Sequence, residues 1–169
     1  MTVTVVDTNV VLVANGQHDD VSGACIAACA LQLQEIMQRG KLALDDRFRI
    51  LSEYLHKTQP KKGNRPGDAF VKWALQNRAN AKRVDSVSLQ DHGTRGFESF
   101  PDDVELVNFD APDRKFIAVA NAHPAKPPIL QAADSKWLDW FPALGRHGVT
   151  VEFLCEADIT RFHKKKFGA

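Results

Sequence analysis

The stretch Val3-Thr4-Val5-Val6-Asp7-Thr8-Asn9 opens the sequence with β-branched residues that lead directly into an aspartate. A continuous β-branched run without polar alternation is typical of a strand that is buried on both faces, as in a parallel sheet. Residues 2–13 are rich in such residues. The segment therefore predicts a first, buried strand that ends at Asp7.

Strands and helices alternate along the rest of the chain. Ser22 is a suitable N-cap for the next helix, and Asp45 or Asp46 for the one after it. The predicted elements are a helix over 22–39, a strand at 42–44, a helix around 48–55, a loop at 57–67, a helix over 68–83, a long loop at 85–103 with an edge strand at 87–89, a strand at 104–109, a helix opened by 110–113, a strand at 129–133, a helix over 137–146 and a last strand at 148–154. This alternation predicts an α/β fold with a central, mostly parallel sheet between two layers of helices. We assign one domain to residues 1–158 and a basic C-terminal tail to residues 159–169.

Composition narrows the class of protein. The 169 residues carry a formal net charge of +1, so the overall charge favours no class of partner. No apolar run approaches the ~20 residues that span a bilayer, and the N-terminus does not resemble a secretory signal. We therefore expect a cytoplasmic protein without a membrane partner.

Cys25, Cys29 and Cys155 match neither a disulfide framework nor a zinc-ligand spacing, and are predicted to be buried thiols.

Four acidic residues fall at matching places in this pattern. Asp7 and Asp134 each end a predicted strand, and Asp113 lies in the first turn of a helix. Glu53 lies beside Ile50, at the edge of the apolar stripe of its helix. In open α/β sheets, sites form outside the carboxyl ends of the strands. We therefore expect the four acids to share one crevice.

Clustered carboxylates repel one another unless a cation neutralises them. Oxygen ligands favour Mg²⁺ or Mn²⁺ over zinc, and such ions promote in-line attack on a phosphodiester. Each acid taken alone also has a structural interpretation, because aspartate commonly caps helices and turns. The joint pattern nevertheless predicts a metal-dependent phosphodiesterase.

Four segments resemble the motifs of PIN-domain ribonucleases, the broad family that includes VapC-type toxins. They are Val5-Val6-Asp7-Thr8-Asn9-Val10, Ile50-Leu51-Ser52-Glu53-Tyr54-Leu55, Asp113-Arg114-Lys115-Phe116-Ile117-Ala118-Val119-Ala120 and Ile129-Leu130-Gln131-Ala132-Ala133-Asp134-Ser135-Lys136-Trp137. They occur in the family's order and cover most of the chain from Val3 to Leu154.

The resemblance implies a PIN-like nuclease domain in which Asp7, Glu53, Asp113 and Asp134 are the catalytic metal ligands. It implies that Thr8 and Asn9 orient Asp7 or a bound water. It also implies an RNA substrate and, for a toxin of this class, an antitoxin protein as partner; such domains often form homodimers.

The chain departs from the family in two respects. Where the family often has a further acid, this chain has Lys136, so Asp110 and Asp139 are considered as substitutes. The segment between Glu53 and Asp113 is longer than in a typical toxin of the class. The departures bear on the toxin role more than on nuclease chemistry.

A basic stretch is a candidate nucleic-acid surface. It contains Lys61, Lys62, Arg65 and Lys72, and the long loop adds Arg95. Positive charge opposite an acidic pocket suits a phosphate backbone that passes over the metal ions. The alternative is that these side chains form an ordinary solvated surface.

The same sequence pattern is compatible with other functions. An aspartyl phosphatase with Asp7 as its nucleophile requires a second acid two residues later, where this chain has Asn9. A DNA-directed nuclease of the same fold, or a nucleic-acid-binding or scaffold protein without catalysis, fits the same topology.

Overall fold

A computed structural model describes residues 1–167. Its central sheet has five strands in the order β3-β2-β1-β6-β7, and every neighbouring pair is parallel. The strands are β1 (Val3–Val6), β2 (Lys41–Asp45), β3 (Val84–Val87), β6 (Ile129–Gln131) and β7 (Val151–Phe153). A separate antiparallel hairpin pairs β4 (Asp91–His92) with β5 (Gly96–Phe97). The predicted single-domain α/β fold with a mostly parallel sheet is confirmed.

The described residues form seven α-helices. They are α1 (Thr8–Ala14), α2 (Gly23–Arg39), α3 (Arg49–Lys57), α4 (Pro66–Asn77), α5 (Arg114–Ala122), α6 (Trp137–Arg146) and α7 (Glu156–Phe167). Helices α1, α2 and α4 pack against one another, while α5 packs on β1, β2 and β6. Buried apolar residues from the strands and helices form one continuous core. Within residues 1–167, no helix combines the length and the apolar character that crossing a membrane requires.

The order of the strands places the first acid at a topological switch point. From β1 the chain proceeds to β2 and β3 on one side, and later to β6 and β7 on the other. The connection that follows β1 and the one that follows β6 therefore run toward opposite edges of the sheet. This leaves a crevice between the carboxyl ends of the two strands, which is where ligands bind in open α/β sheets. Asp7 directly follows β1 and Asp134 follows β6, so both acids border this crevice.

The first strand is confirmed to within one residue of its predicted end at Asp7, but the helix that follows it was not predicted. The strand β1 ends at Val6, and the β-branched residues that follow belong to α1. Asp7 caps α1, because its side chain accepts a hydrogen bond from the backbone N–H of Asn9. Since Val10, Val11 and Val13 are all fully buried, tertiary packing overrides their β-propensity.

The region between β3 and α5 also differs from the prediction. The edge strand spans Val84–Val87 rather than 87–89, and the long loop contains the β4–β5 hairpin. The predicted strand at 104–109 is wrong: Val104–Leu106 forms a 3₁₀ turn. Val104 is 81% exposed, so nothing packs against it as a buried strand would require. A second 3₁₀ turn, Ala111–Asp113, leads into α5.

One predicted helix has different bounds, and one further helix was not predicted. Helix α4 covers Pro66–Asn77, whereas the predicted helix covered 68–83. Helix α7 crosses the boundary that we placed at 158, so the basic segment predicted as a tail is helical as far as Phe167. The remaining tail residues, 168–169, lie outside the described part of the chain.

The cysteine prediction is wrong for two of the three residues. Cys25 and Cys155 form a disulfide, although 130 positions separate them in sequence. Cys29 is the predicted buried thiol, and burial, with a further contribution from Asp158, raises its pKa to about 12. The spacing of cysteines along the chain does not reveal that α2 and the end of β7 bring these residues together.

Gly67 marks a close approach between α4 and α1 that provides a test of the fold. An added Cβ would overlap the carbonyl oxygen of Val11 and lie 2.6 Å from Oδ1 of Asn15. We expect Gly67→Ala to lower the free energy of unfolding by at least the ~1–3 kcal/mol typical of overpacking, because the backbone of α1 or α4 must move to make room for the added methyl group. Gly145→Ala is the control, since its Cβ meets nothing within 4 Å. Chemical denaturation that gives equal stabilities for the two variants would contradict this packing.

Candidate active site

The carboxyl group of Asp7 is buried, and one of its two oxygens lacks a hydrogen-bond donor. The residue is only 4% exposed; its Oδ2 accepts the Asn9 N–H at 2.9 Å, and its Oδ1 is buried with no hydrogen-bond donor. The pKa of this carboxyl is raised well above its ordinary value by burial, and then by the charges of Asp113, Asp134 and Glu53. A buried carboxylate oxygen without a donor is costly unless the carboxyl group takes up a proton or a cation approaches it.

Asn9 connects the ends of the two central strands. Its backbone N–H contacts Asp7, and its side-chain Oδ1 accepts the backbone N–H of Ala133 at 2.9 Å. Gln131 orders the same segment, because its Oε1 accepts the N–H groups of Ala132 and Asp134. Asn9 therefore holds the β6 segment, with Asp134, beside Asp7. The role predicted for Asn9 as an orienting residue fits this placement.

Glu53 reaches the crevice from α3. The hydroxyl of Thr8 donates to its Oε2, and the ammonium of Lys115 lies 2.9 Å from its Oε1. The side chains of Glu53 and Lys115 are 21% and 12% exposed, so both groups are largely withdrawn from water. Thr8 thus orients Glu53 rather than Asp7, and Lys115 is the nearest positive charge to that carboxylate.

Asp113 and Asp134 complete the cluster. Burial raises the pKa of Asp113 to about 6, and the charges of Asp134, Glu53 and Asp110 add to the rise. Burial also raises the pKa of Asp134, while the backbone N–H and the charge of Lys136 oppose the rise. The four predicted acids therefore lie close enough to destabilise one another's charges. We call Asp7, Glu53, Asp113 and Asp134 the acidic site.

The two predicted substitute acids differ in position. The charge of Asp110 raises the pKa of both Asp113 and Asp134, and its carboxylate pairs with Lys136 at 2.9 Å. Asp139, on α6, instead pairs with His163 of α7 at 3.1 Å. Asp110 therefore borders the acidic site, whereas the contact of Asp139 is directed toward α7.

The residues of the acidic site fit a divalent cation. All four supply carboxylate oxygens, which Mg²⁺ and Mn²⁺ prefer, and Asp7 offers an oxygen that no donor occupies. Among the described residues, the acids do not form a group whose ligand atoms all lie within 4.8 Å of one another. A shared ion would therefore contact some of them through water, as Mg²⁺, which usually keeps several waters, commonly does.

A groove beside Glu53 contains residues that the sequence analysis missed. It has a volume of about 620 Å³, and Arg47, Phe48, Arg49 and His56 line it together with Lys115. Phe48 is 43% exposed and has a φ of 66°, a backbone conformation that bulky residues rarely adopt. Asp45 supports this turn by accepting the N–H groups of Arg47 and Arg49. The alternation Arg47-Phe48-Arg49 was the available sequence signal, because nucleic-acid surfaces combine cations with aromatic rings.

The predicted basic contacts do not gather in that groove. Lys61, Lys62 and Lys72 are exposed after α3 and on α4. Arg65 binds the fully buried Asp68, with Nε 2.9 Å from Oδ2. Arg95 donates to the carbonyl groups of Phe100 and Glu98 within its own loop. The two arginines thus have structural contacts, and the three lysines remain surface cations.

Comparison with known proteins does not assign a function to this site. No protein-family model matches the chain, and no curated protein or solved structure is significantly similar to it. The function is therefore inferred from the residues of the acidic site and the groove beside it.

Proposed function

We propose that this protein is a PIN-type, metal-dependent endoribonuclease that cleaves single-stranded RNA at the acidic site. The observation that carries the proposal is the juxtaposition of four carboxylates, two of them at the topological switch point, with a buried Asp7 oxygen that has no donor. Carboxyl groups whose pKa values are raised by burial and by neighbouring charges in a crevice are characteristic of functional sites.

The chain's own residues supply distinct parts of the proposed chemistry. Asp7, Glu53, Asp113 and Asp134 would hold the cation, with Thr8 and Asn9 fixing Glu53 and Asp7. When bound, Mg²⁺ or Mn²⁺ supplies Lewis-acid chemistry that activates water and stabilises charge on a phosphodiester. Lys115 places a positive charge at the border of the site, where it can contact a phosphate oxygen.

The groove beside Glu53 gives the substrate a path to the acids. Arg47 is exposed and can contact the phosphate backbone, whereas Arg49 is already paired with Asp91, 3.1 Å away. The exposed ring of Phe48 offers a face on which an unpaired base can stack. Stacking requires splayed bases, so the groove favours single-stranded over duplex nucleic acid.

The substitution Phe48→Ala tests whether the RNA passes through the groove beside Glu53. Stacking contributes ~1–3 kcal/mol per base, so we expect KM for a short RNA to rise about tenfold with a smaller change in kcat. Phe48→Gly should behave alike, because it removes the same ring while suiting the positive φ. Phe141→Ala is the control, since Phe141 is comparably exposed but packs on Phe153, outside the groove. Steady-state kinetics that give all three variants the same KM would remove Phe48 from the substrate path.

Cleavage of end-labelled oligonucleotides tests the function itself. Single-stranded RNA and DNA of one sequence are incubated with the protein in Mn²⁺, in Mg²⁺ and in EDTA. We expect internal cleavage of RNA that requires the cation. Preferential cleavage of DNA would redirect the proposal to a deoxyribonuclease, and binding without any cleavage would replace it with a non-catalytic nucleic-acid-binding protein.

The biological setting proposed for this activity follows the same resemblance. A toxin of this class is inhibited by an antitoxin protein, acts on RNA in the cytoplasm and often works as a homodimer. Co-expression with the product of an adjacent gene, followed by the cleavage assay, tests the antitoxin component. Cleavage that is unaffected by such a product would favour an RNA-processing role over a toxin role.

A further inference from the structure

Three sulfur atoms meet in the interior, away from the acidic site. The Sγ atoms of Cys25, Cys29 and Cys155 all lie within 4.8 Å of one another, and all three residues are buried. Cys25 and Cys155 are joined as a disulfide, and the Sγ of Cys29 lies 3.8 Å from that of Cys155. In residues 1–167, this is the only group of three or more potential ligands packed so closely.

The local structure brings the sulfur atoms together from two elements. Cys25 and Cys29 are four residues apart on α2, so their side chains lie on one face of the helix. Cys155 precedes the first residue of α7, and its carbonyl accepts the N–H of Ile159 in the first helical turn. The cluster thus joins α2 to the beginning of α7.

Two helix N-termini surround the cluster. Cys25 lies in the first turn of α2, where its N–H bonds to the N-cap Ser22, and Cys155 lies at the start of α7. The positive end of a helix dipole stabilises a thiolate. Two of the three sulfur atoms therefore lie near the positive end of a helix. Burial and the charge of Asp158 disfavour the thiolate of Cys29, so its deprotonation depends on the bound ion.

The spacing suits a shared ion. Two thiolates that bind one tetrahedral ion, each at a Zn–S distance of about 2.3 Å, are separated by about 3.8 Å. Cys29 and Cys155 already have this separation. Reduction releases the sulfur atoms of Cys25 and Cys155 from each other, so that both can join Cys29 as ligands.

We propose that the reduced chain holds one thiophilic divalent ion, Zn²⁺ or Cd²⁺, through the three thiolates of Cys25, Cys29 and Cys155. This site is separate from the acidic site and does not depend on nuclease activity. Soft sulfur ligands select such ions over Mg²⁺ and Mn²⁺, so the two sites would take different metals. The ion would replace the disulfide as the link between α2 and α7, and water or another small ligand would complete its coordination.

The reaction balances with a phosphine as the reductant. The phosphine takes up one water oxygen to become a phosphine oxide, and the disulfide receives two electrons and two protons to become two thiols. One divalent ion then replaces the protons of the three thiols. No other oxidant or reductant is required.

Titration with Cd²⁺ under ultraviolet absorption tests this site, because thiolate-to-cadmium charge transfer does not arise from carboxylate ligands. We expect phosphine-reduced protein to develop this band and to saturate at one ion per chain. Untreated protein, with the disulfide intact, should not develop it. Asp7→Asn should leave the band unchanged, which separates the cysteine cluster from the acidic site.

The variants make the test decisive. Cys29→Ser should lose about one third of the band and bind Cd²⁺ at least tenfold more weakly; Cys25→Ser, which also lacks the disulfide, should do the same. Circular dichroism confirms that each protein is folded. A folded, reduced wild type without the band would overturn the proposal, and so would a band of equal intensity in either serine variant.

Discussion

Asp7→Asn is expected to lower the rate of metal-dependent RNA cleavage by well over 100-fold. Mutating residues that only orient metal ligands already costs about 10–100-fold, and loss of a proposed ligand should cost more. The charge of Asp7 interacts with those of the other three acids, as does that of Asp113, and the Oδ1 of Asp7 has no competing donor. Asp113→Asn should have a similar effect. Single-turnover cleavage of end-labelled RNA in saturating Mn²⁺ measures the chemical step directly.

Asp19→Asn is the matched control for this loss. It makes the same chemical change at an exposed residue beyond the opposite end of α1. Its cleavage rate should equal that of the wild type. If Asp7→Asn cleaves within about tenfold of the wild type, Asp7 is not a ligand in the sense proposed, because that loss is no larger than a supporting residue gives.

The same acids should make the metal-free protein less stable as the pH rises. Burial and neighbouring acids raise the pKa of Asp113 from 3.8 to about 6, and that of Asp7 is also raised. The folded chain therefore holds more protons than the unfolded chain between about pH 4 and pH 6, so the free energy of unfolding falls across that range. We expect these groups to lower the free energy of unfolding by about 1–3 kcal/mol between pH 5 and pH 7.5. Each kcal/mol corresponds to a fall of roughly 2–4 °C in Tm.

A divalent cation should reverse this loss at neutral pH. An ion at 100 times its Kd stabilises the folded state by about 2.7 kcal/mol. Asp7→Asn should instead raise the Tm of the metal-free protein, because it removes a buried charge, and should weaken the stabilisation by Mn²⁺. Thermal unfolding at both pH values, with Mn²⁺ and with EDTA, measures each effect. A wild type that is equally stable at both pH values and insensitive to Mn²⁺ would contradict the description of the site.

The position of the acidic site was predictable because strand ends can be recognised in the sequence. The β-branched run of β1 and the apolar run of β6 each stop at a polar residue, and parallel strands bring those ends to one edge. The structure accordingly brings Asp7 and Asp134 together with Asp113 and Glu53.

The elements that were mispredicted depend on contacts between distant residues. Helix α1 has only seven residues, too few to be stable alone, and it forms because its valines are buried. Val104 has strand propensity, yet the segment has no neighbouring strand to pair with. The Cys25–Cys155 pair likewise arises from a Cα–Cα distance of 5.1 Å across 130 positions.

The groove beside Glu53 was missed for a conformational reason. Phe48 is exposed because its backbone adopts a left-handed conformation that Asp45 supports from the end of β2. Nothing in the composition of the segment requires a phenylalanine to adopt a positive φ. The acids of the site could thus be predicted from residue types, whereas the groove beside them depends on the path of the backbone.

Binding of Mn²⁺ to the metal-free protein, followed by the loss of the free-ion signal in electron paramagnetic resonance, tests the central claim most directly. It isolates the acidic site from substrate binding and catalysis. The proposed site predicts saturable binding by the wild type and by Asp19→Asn, and its loss in the Asp7→Asn, Asp113→Asn double variant. Equal Mn²⁺ binding by the double variant and the wild type would contradict the assignment of these carboxylates as the metal site.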